Sequence, residues 1–402
     1  MAKNAVIYLS FHEPHRLRLP VGDLSKAVSV PHLANSLMDG ETTKYYFDRW
    51  LVEVCKPYAL LLSSLADSGV KFLLNLSGPL LETMAQFRSQ VPTAFVALLR
   101  HPNVELVCSD LKHSLSFYLD IATFERQMQR ARELISEEFG VEPVLGMAPY
   151  MFMNSEIYYS LGKLNFVAAL ADGTQRLLAG RQAGYLRRNG EGPFLVTCSG
   201  DLNHQLVALT LGRRPSADYE VRTPQYVERV LQSAGEVVLL GWQVLPLNGH
   251  DEYNTGLALL EQLPSRLLAH DVRFISVTEV ISRYGELASP LPLPALPAVS
   301  TEFGDLSFFF GHATQQHLFR LMHHAYSIAK LTRNDELVDL SLELAQWDIL
   351  GLVHRLEVSN GKGSEPGYLT PSQWQNLGRE GTISELLKVY ESFVRCLSDF
   401  YL

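Results

Sequence analysis

Seven apolar stretches in the first two-thirds of the chain end in residues able to carry chemistry. In order these are His12-Glu13, Ser77-Gly78-Pro79, Ser109-Asp110, Asn154-Ser155-Glu156, Asp172-Gly173, Ser199-Gly200-Asp201 and Trp242-Gln243. Carboxylates and imidazoles move protons near neutral pH, and carboxylates also attack electrophilic centres. A single polar residue after a strand is an ordinary turn former. Seven strand ends of this kind describe one face, the C-terminal rim on which α/β barrels build their sites.

The elements that must position them are readable as short apolar runs: 5–11, 70–76, 104–108, 143–147, 165–170, 194–198, 236–240 and 273–277. Runs this continuously apolar suit strands covered on both faces, as in parallel sheets. Helix-like segments such as 44–67 and 123–139 lie between them. The alternation predicts an α/β domain, either a barrel or a doubly wound sheet. No Gly-x-Gly-x-x-Gly follows the first strand and no Gly-x-x-x-x-Gly-Lys occurs, which disfavours a nucleotide-binding domain.

Segment 289–301 carries four prolines in Ser289–Ser300 and reads as an extended connection between residues 1–288 and 302–402. Beyond it, 314–332, 334–356 and 381–402 show helical spacing, which predicts a helical C-terminal domain. The 402 residues are 47% hydrophobic and 19% charged, with net charge -9 and no basic arm. That excludes a disordered chain and disfavours nucleic acid as partner. No apolar run approaches the ~20 residues that cross a bilayer. Four cysteines (Cys55, Cys108, Cys198 and Cys396) form no C-x-x-C pair, and the opening residues lack a signal-peptide pattern, so the expectation is a cytoplasmic protein without disulfides.

On these residues the chain resembles glycoside hydrolase family 57, its α-amylase and α-amylase-like branch. Phe11-His12-Glu13-Pro14-His15-Arg16-Leu17-Arg18 resembles the family's opening motif, and Val54–Ala59 continues the likeness. Val104–Asp110 with His113-Ser114-Leu115 is similar to the second motif. Phe152-Met153-Asn154-Ser155-Glu156-Ile157-Tyr158 resembles the third, which implies Glu156 as catalytic nucleophile. Leu170–Leu178 resembles the acidic-Gly stretch, Gly235–Gly256 the fourth motif, and Asp305-Leu306-Ser307 with Val389–Tyr401 the helical region. The resemblance implies an incomplete (β/α)7 TIM-like barrel followed by a C-terminal α-helical domain. It further implies an α-glucan or maltooligosaccharide substrate and a retaining mechanism without cofactor, and within that pattern His12, His113, Asp172, Gln243 and His250 are expected as sugar contacts. Trp242 could add a stacking platform, and no metal is expected because the His12/His15 spacing does not aim both rings inward.

One departure bears on mechanism. Gln243 stands where the family carries its catalytic aspartate, and an amide donates a hydrogen bond but delivers no proton. Another carboxylate could replace it, with Asp251, Glu252, Asp201 and Asp172 as candidates and Asp251 foremost because it follows His250. Alternatively the chain is a catalytically impaired relative that binds or regulates on α-glucans, or the barrel does other chemistry. Read without its motif, Glu156 is a helix N-terminal glutamate, His12 and His113 are structural histidines, and Trp242 is a core residue.

Overall fold

The computed structural model describes residues 3–24, 29–210, 217–244, 255–298, 306–358 and 367–400. Contacts divide the chain into two compact units. The first comprises residues 1–12, 49–111 and 124–305 and is built on one sheet. Its strands are β1 (Asn4–Phe11), β2 (Phe72–Leu76), β3 (Val104–Cys108), β4 (Leu145–Gly146), β5 (Ala168–Gly173), β6 (Phe194–Ser199), β7 (Val237–Val244) and β8 (Arg273–Phe274). All pairings are parallel, in the order β6-β5-β4-β3-β2-β1-β7, with β8 added beside the start of β1. Every expected strand is present, with helices between strands, so this is the nearly closed barrel-like sheet anticipated from the sequence.

Side-chain alternation separates two cores. Val6 and Tyr8, Leu73, Val107, Leu145 and Met147, Ala168 and Leu170, Val196 and Cys198, and Val237 and Leu239 come one set from each of seven strands and share one buried cluster, the barrel interior. Ile275, Val277 and Val280 belong to the same cluster. The alternate residues face the helices: Phe11 meets Trp50, Tyr58 and Phe95 edge-on at centroid distances of 6.5, 5.8 and 5.7 Å.

No ladder joins β6 to β7 among the described residues, and this is where the barrel is incomplete. A crossing segment partly fills the seam. Arg187 pairs with Leu195 of β6, and Val237 N of β7 donates to Gly184 O at 3.2 Å. Gly184 has φ +87, and a Cβ there would lie 2.4 Å from Ala234 O, so only glycine fits.

The extended connection expected at 289–301 is described as far as Ala298. Its described part belongs to the barrel unit. Asn189 clamps Leu291 through both its amide atoms, Ser155 N donates to Pro294 O, and Ala298 bridges Met153. The second unit is helical but discontinuous: residues 306–402 are joined by 13–48 and 112–123, which lie within the range 1–288 expected for the barrel. Packing within the unit explains this. Ser114 pairs with Gln346, Tyr46 Oη donates to Leu369 O, and Arg16 lies over the Tyr46 ring at 4.2 Å. Its longer C-terminal helices are Ala313–Leu331, Asp335–Leu344, Trp347–Val358 and Pro371–Phe400. No described helix is long and apolar enough to cross a membrane.

Candidate active site

Two residues beyond the apolar layer, the interior face of the barrel turns polar at its C-terminal end. On β1 the inward sequence Val6, Tyr8 continues to Ser10, and on β2 Leu73 continues to Asn75. Register places Ser10 beside Asn75 on one side and beside Gln243 of β7 on the other. Ser10 Oγ donates to Asn75 Oδ1 at 3.1 Å, and Asn75 Nδ2 donates to Ser109 Oγ at 3.2 Å and to Val107 O at 3.1 Å. This row therefore holds its amides and hydroxyls in fixed orientation while Gln243 remains half-buried.

On β5 the same alternation, Ala168 then Leu170, brings Asp172 onto the interior face, where it is 4% exposed and sits opposite Cys198 in register. Burial pushes the Cys198 thiol well above its ordinary range and the Asp172 charge adds to the effect, so Cys198 stays protonated and is no nucleophile. Tyr8 is likewise held far above the ordinary phenol value by burial, and its hydroxyl reaches Met147 Sδ at 3.4 Å. After β4 the chain makes a short turn, Pro149–Met151, in which Tyr150 and Met151 both take left-handed backbone (φ 51 and 56). Two consecutive non-glycine residues there cost about 1 kcal/mol or more each.

The anticipated residues divide on this geometry. Asp172 and Gln243 lie on the interior face. His12 follows β1 in the inward phase and is buried. Glu156 does not stand at a strand end. It occupies the first turn of the helix Ser155–Lys163, exposed, behind an N-cap in which Asn154 Oδ1 accepts from Ile157 N at 2.8 Å. The strand has already ended at Gly146, and the left-handed turn uses up the intervening residues. Favourable placement against the helix dipole accounts for a glutamate at this position. Trp242 is also corrected. It points to the face opposite Gln243, is 3% exposed, and packs as core rather than presenting a ring to a sugar. His113 belongs to the helical unit, where it is buried. Asp201 is exposed at the start of the helix Gly200–Thr210. His250, Asp251 and Glu252 lie outside the described residues.

Ser10 and Asn75 escaped the sequence reading. Their signal was available: each is the one polar residue near the C-terminal end of an otherwise apolar strand, AVIYLSF and FLLNL.

The model of one family, "Glycosyl hydrolase family 57", matches residues 7–290. A Methanocaldococcus jannaschii protein named "Putative alpha-amylase" is 22% identical over 276 residues, covering 68% of this chain and 58% of that protein. Among solved structures, 4-alpha-glucanotransferase from Thermococcus litoralis superposes with TM-score 0.62 at 14% identity, over 92% of this chain and 61% of that one. The GH57-type branching enzyme from Pyrococcus horikoshii gives TM-score 0.63 at 11% identity, over 100% and 95%. The match thus spans less than two-thirds of the first two relatives, and the two structures speak for the fold.

Proposed function

The chain belongs to glycosyl hydrolase family 57, and from that premise we propose that it acts on an α-glucan at the C-terminal mouth of the barrel, with Asp172 as the carboxyl group at the reacting bond. One observation carries the assignment. Asp172 is a buried carboxylate, 4% exposed, in the inward phase of β5 at that end. Glu156, the expected nucleophile, is exposed on a helix of the outer layer. Ser10, Asn75 and Gln243 supply oriented donors and acceptors for sugar hydroxyls beside it.

A retaining mechanism uses two carboxyl groups about 5–5.5 Å apart, one to attack and one to protonate the leaving oxygen. Gln243 cannot take the second role. Cleavage of a sugar–sugar bond is therefore slower by about 10²–10⁴-fold than with both groups, while a leaving group that needs no proton is much less affected. The second reading, a barrel that holds glucan without cutting it, is favoured by the same Gln243 lying in one row with Ser10 and Asn75.

Both readings require glucan binding at the row. Calorimetric titration with maltoheptaose tests it: Gln243→Ala is expected to weaken binding about tenfold, as befits loss of one hydrogen-bonding group. Undiminished affinity in Gln243→Ala and in Asn75→Ala would remove the barrel mouth as the binding site.

A further inference from the structure

The open seam between β6 and β7 borders a cleft of about 560 Å³ in the barrel unit. Val196 and Cys198 of β6 face the interior, so Thr197 between them faces outward into this cleft. Thr197 is 4% exposed, and its Oγ1 makes no hydrogen bond among the described residues. The first turn of the helix Gly200–Thr210 opens onto the same space, presenting the positive end of an 11-residue helix. Arg181 and Arg229 line opposite elements of the cleft, the segment before β6 and the helix before β7. Both are exposed, and neither makes an ion pair among the described residues. Arg187, which also borders this seam, feels the repulsion of Arg181. The acids at hand are Asp201 in the lining and Glu236 near Arg187. No aromatic ring lines the cleft, so a neutral sugar has no face to stack on.

We infer that this seam cleft binds a small phosphate-bearing ligand, with Arg181 and Arg229 as its cationic clamp, Thr197 as a buried hydroxyl donor and the helix at Gly200 as the anion-facing terminus. The two arginines outnumber the one lining carboxylate. Guanidinium groups bind phosphate through paired N–H donors, and helix N-termini accept it through main-chain amides. The ligand's shared chemistry is a phosphate group, free or esterified to a small molecule such as a hexose. The cleft is lined by Val237 and Leu239 of the interior cluster as well as by Thr197 and Val238, and it does not include Ser10, Asn75 or Gln243, so variants of that row separate the two readings.

The test titrates the full chain with inorganic phosphate, glucose 1-phosphate and maltose at constant ionic strength, followed by calorimetry. Saturable binding of either phosphate compound is expected, with maltose silent in the Gln243→Ala background. Arg181→Gln and Arg229→Gln should each weaken phosphate binding about tenfold, the worth of one charged hydrogen-bonding group. Thr197→Val should weaken it severalfold, and Arg320→Gln in the helical unit should leave it unchanged. Tighter binding of glucose 1-phosphate assigns a sugar phosphate, and equal or tighter inorganic phosphate assigns the free ion. Both support the site. Absence of saturable phosphate binding overturns it, as does binding that survives the Arg181→Gln/Arg229→Gln double variant. The arginines are exposed, so circular dichroism and thermal midpoints should match wild type and keep the comparison interpretable.

Discussion

Glu343 offers the sharpest test of how the helical unit is held. Its Oε1 accepts from His15 Nδ1 at 2.8 Å, and its Oε2 lies 3.6 Å from Lys112 Nζ. Burial acts to raise this carboxyl, but Lys112 and the His15 hydrogen bond outweigh it and hold the group at about 2 instead of the ordinary 4.5. A folded-state value below the unfolded one stabilises the fold above the unfolded value, and that contribution disappears as pH falls through the folded value. The drop from 4.5 to about 2 is worth about 3 kcal/mol at pH 7, falling to roughly 1–1.5 at pH 3 and a few tenths at pH 2. Glu343→Gln preserves shape and removes the charge facing Lys112. It is expected to cost about 3 kcal/mol at pH 7, in the range for breaking a buried ion pair, and roughly 1–1.5 kcal/mol at pH 3. The assay is urea unfolding with hydrogen exchange of the amides in the helix Asp335–Leu344, which reads the helical unit apart from the barrel. A cost that is the same at both pH values, or below about 1 kcal/mol at pH 7, would refute the reasoning.

Further consequences concern the barrel. Gly184→Ala should destabilise by about 2–4 kcal/mol, because it combines a left-handed backbone with a methyl driven into Ala234 O. Thermal unfolding measures it, and a neutral result would deny that the seam segment sits as described. Trp242→Ala should cost about 3–5 kcal/mol as a core truncation, whereas Trp242→Phe should leave maltoheptaose affinity unchanged. A large affinity loss in Trp242→Phe would return the ring to the binding site.

The strands were legible in the sequence because parallel strands covered on both faces are short, continuously apolar runs, as in VELVC and FLVTC. The C-terminal helices showed their apolar spacing, although the expected helix 334–356 is two, broken at Ala345 and Gln346, where the Gln346 side chain bonds His15. What could not be read was membership. Residues 13–48 pack with the helical unit through contacts such as Arg16 on Tyr46 and Tyr368, and such long-range pairings leave no local pattern. Asp172 and Gln243 were legible as strand-end residues, and the period-two alternation of their strands sets them on the interior face. Glu156 could not, since the left-handed turn at Tyr150 and Met151 comes from non-glycine residues that carry no turn signal. That turn shifts the helix start, and with it the glutamate, away from the strand end.

The most direct measurement of the central claim is fluoride release from α-maltosyl fluoride by wild type, Asp172→Asn and Glu156→Gln. Fluoride departs with little help from an acid, so the assay asks which carboxylate works on the sugar. Release is expected to be abolished in Asp172→Asn and retained in Glu156→Gln. Release that survives Asp172→Asn and is lost in Glu156→Gln would contradict it.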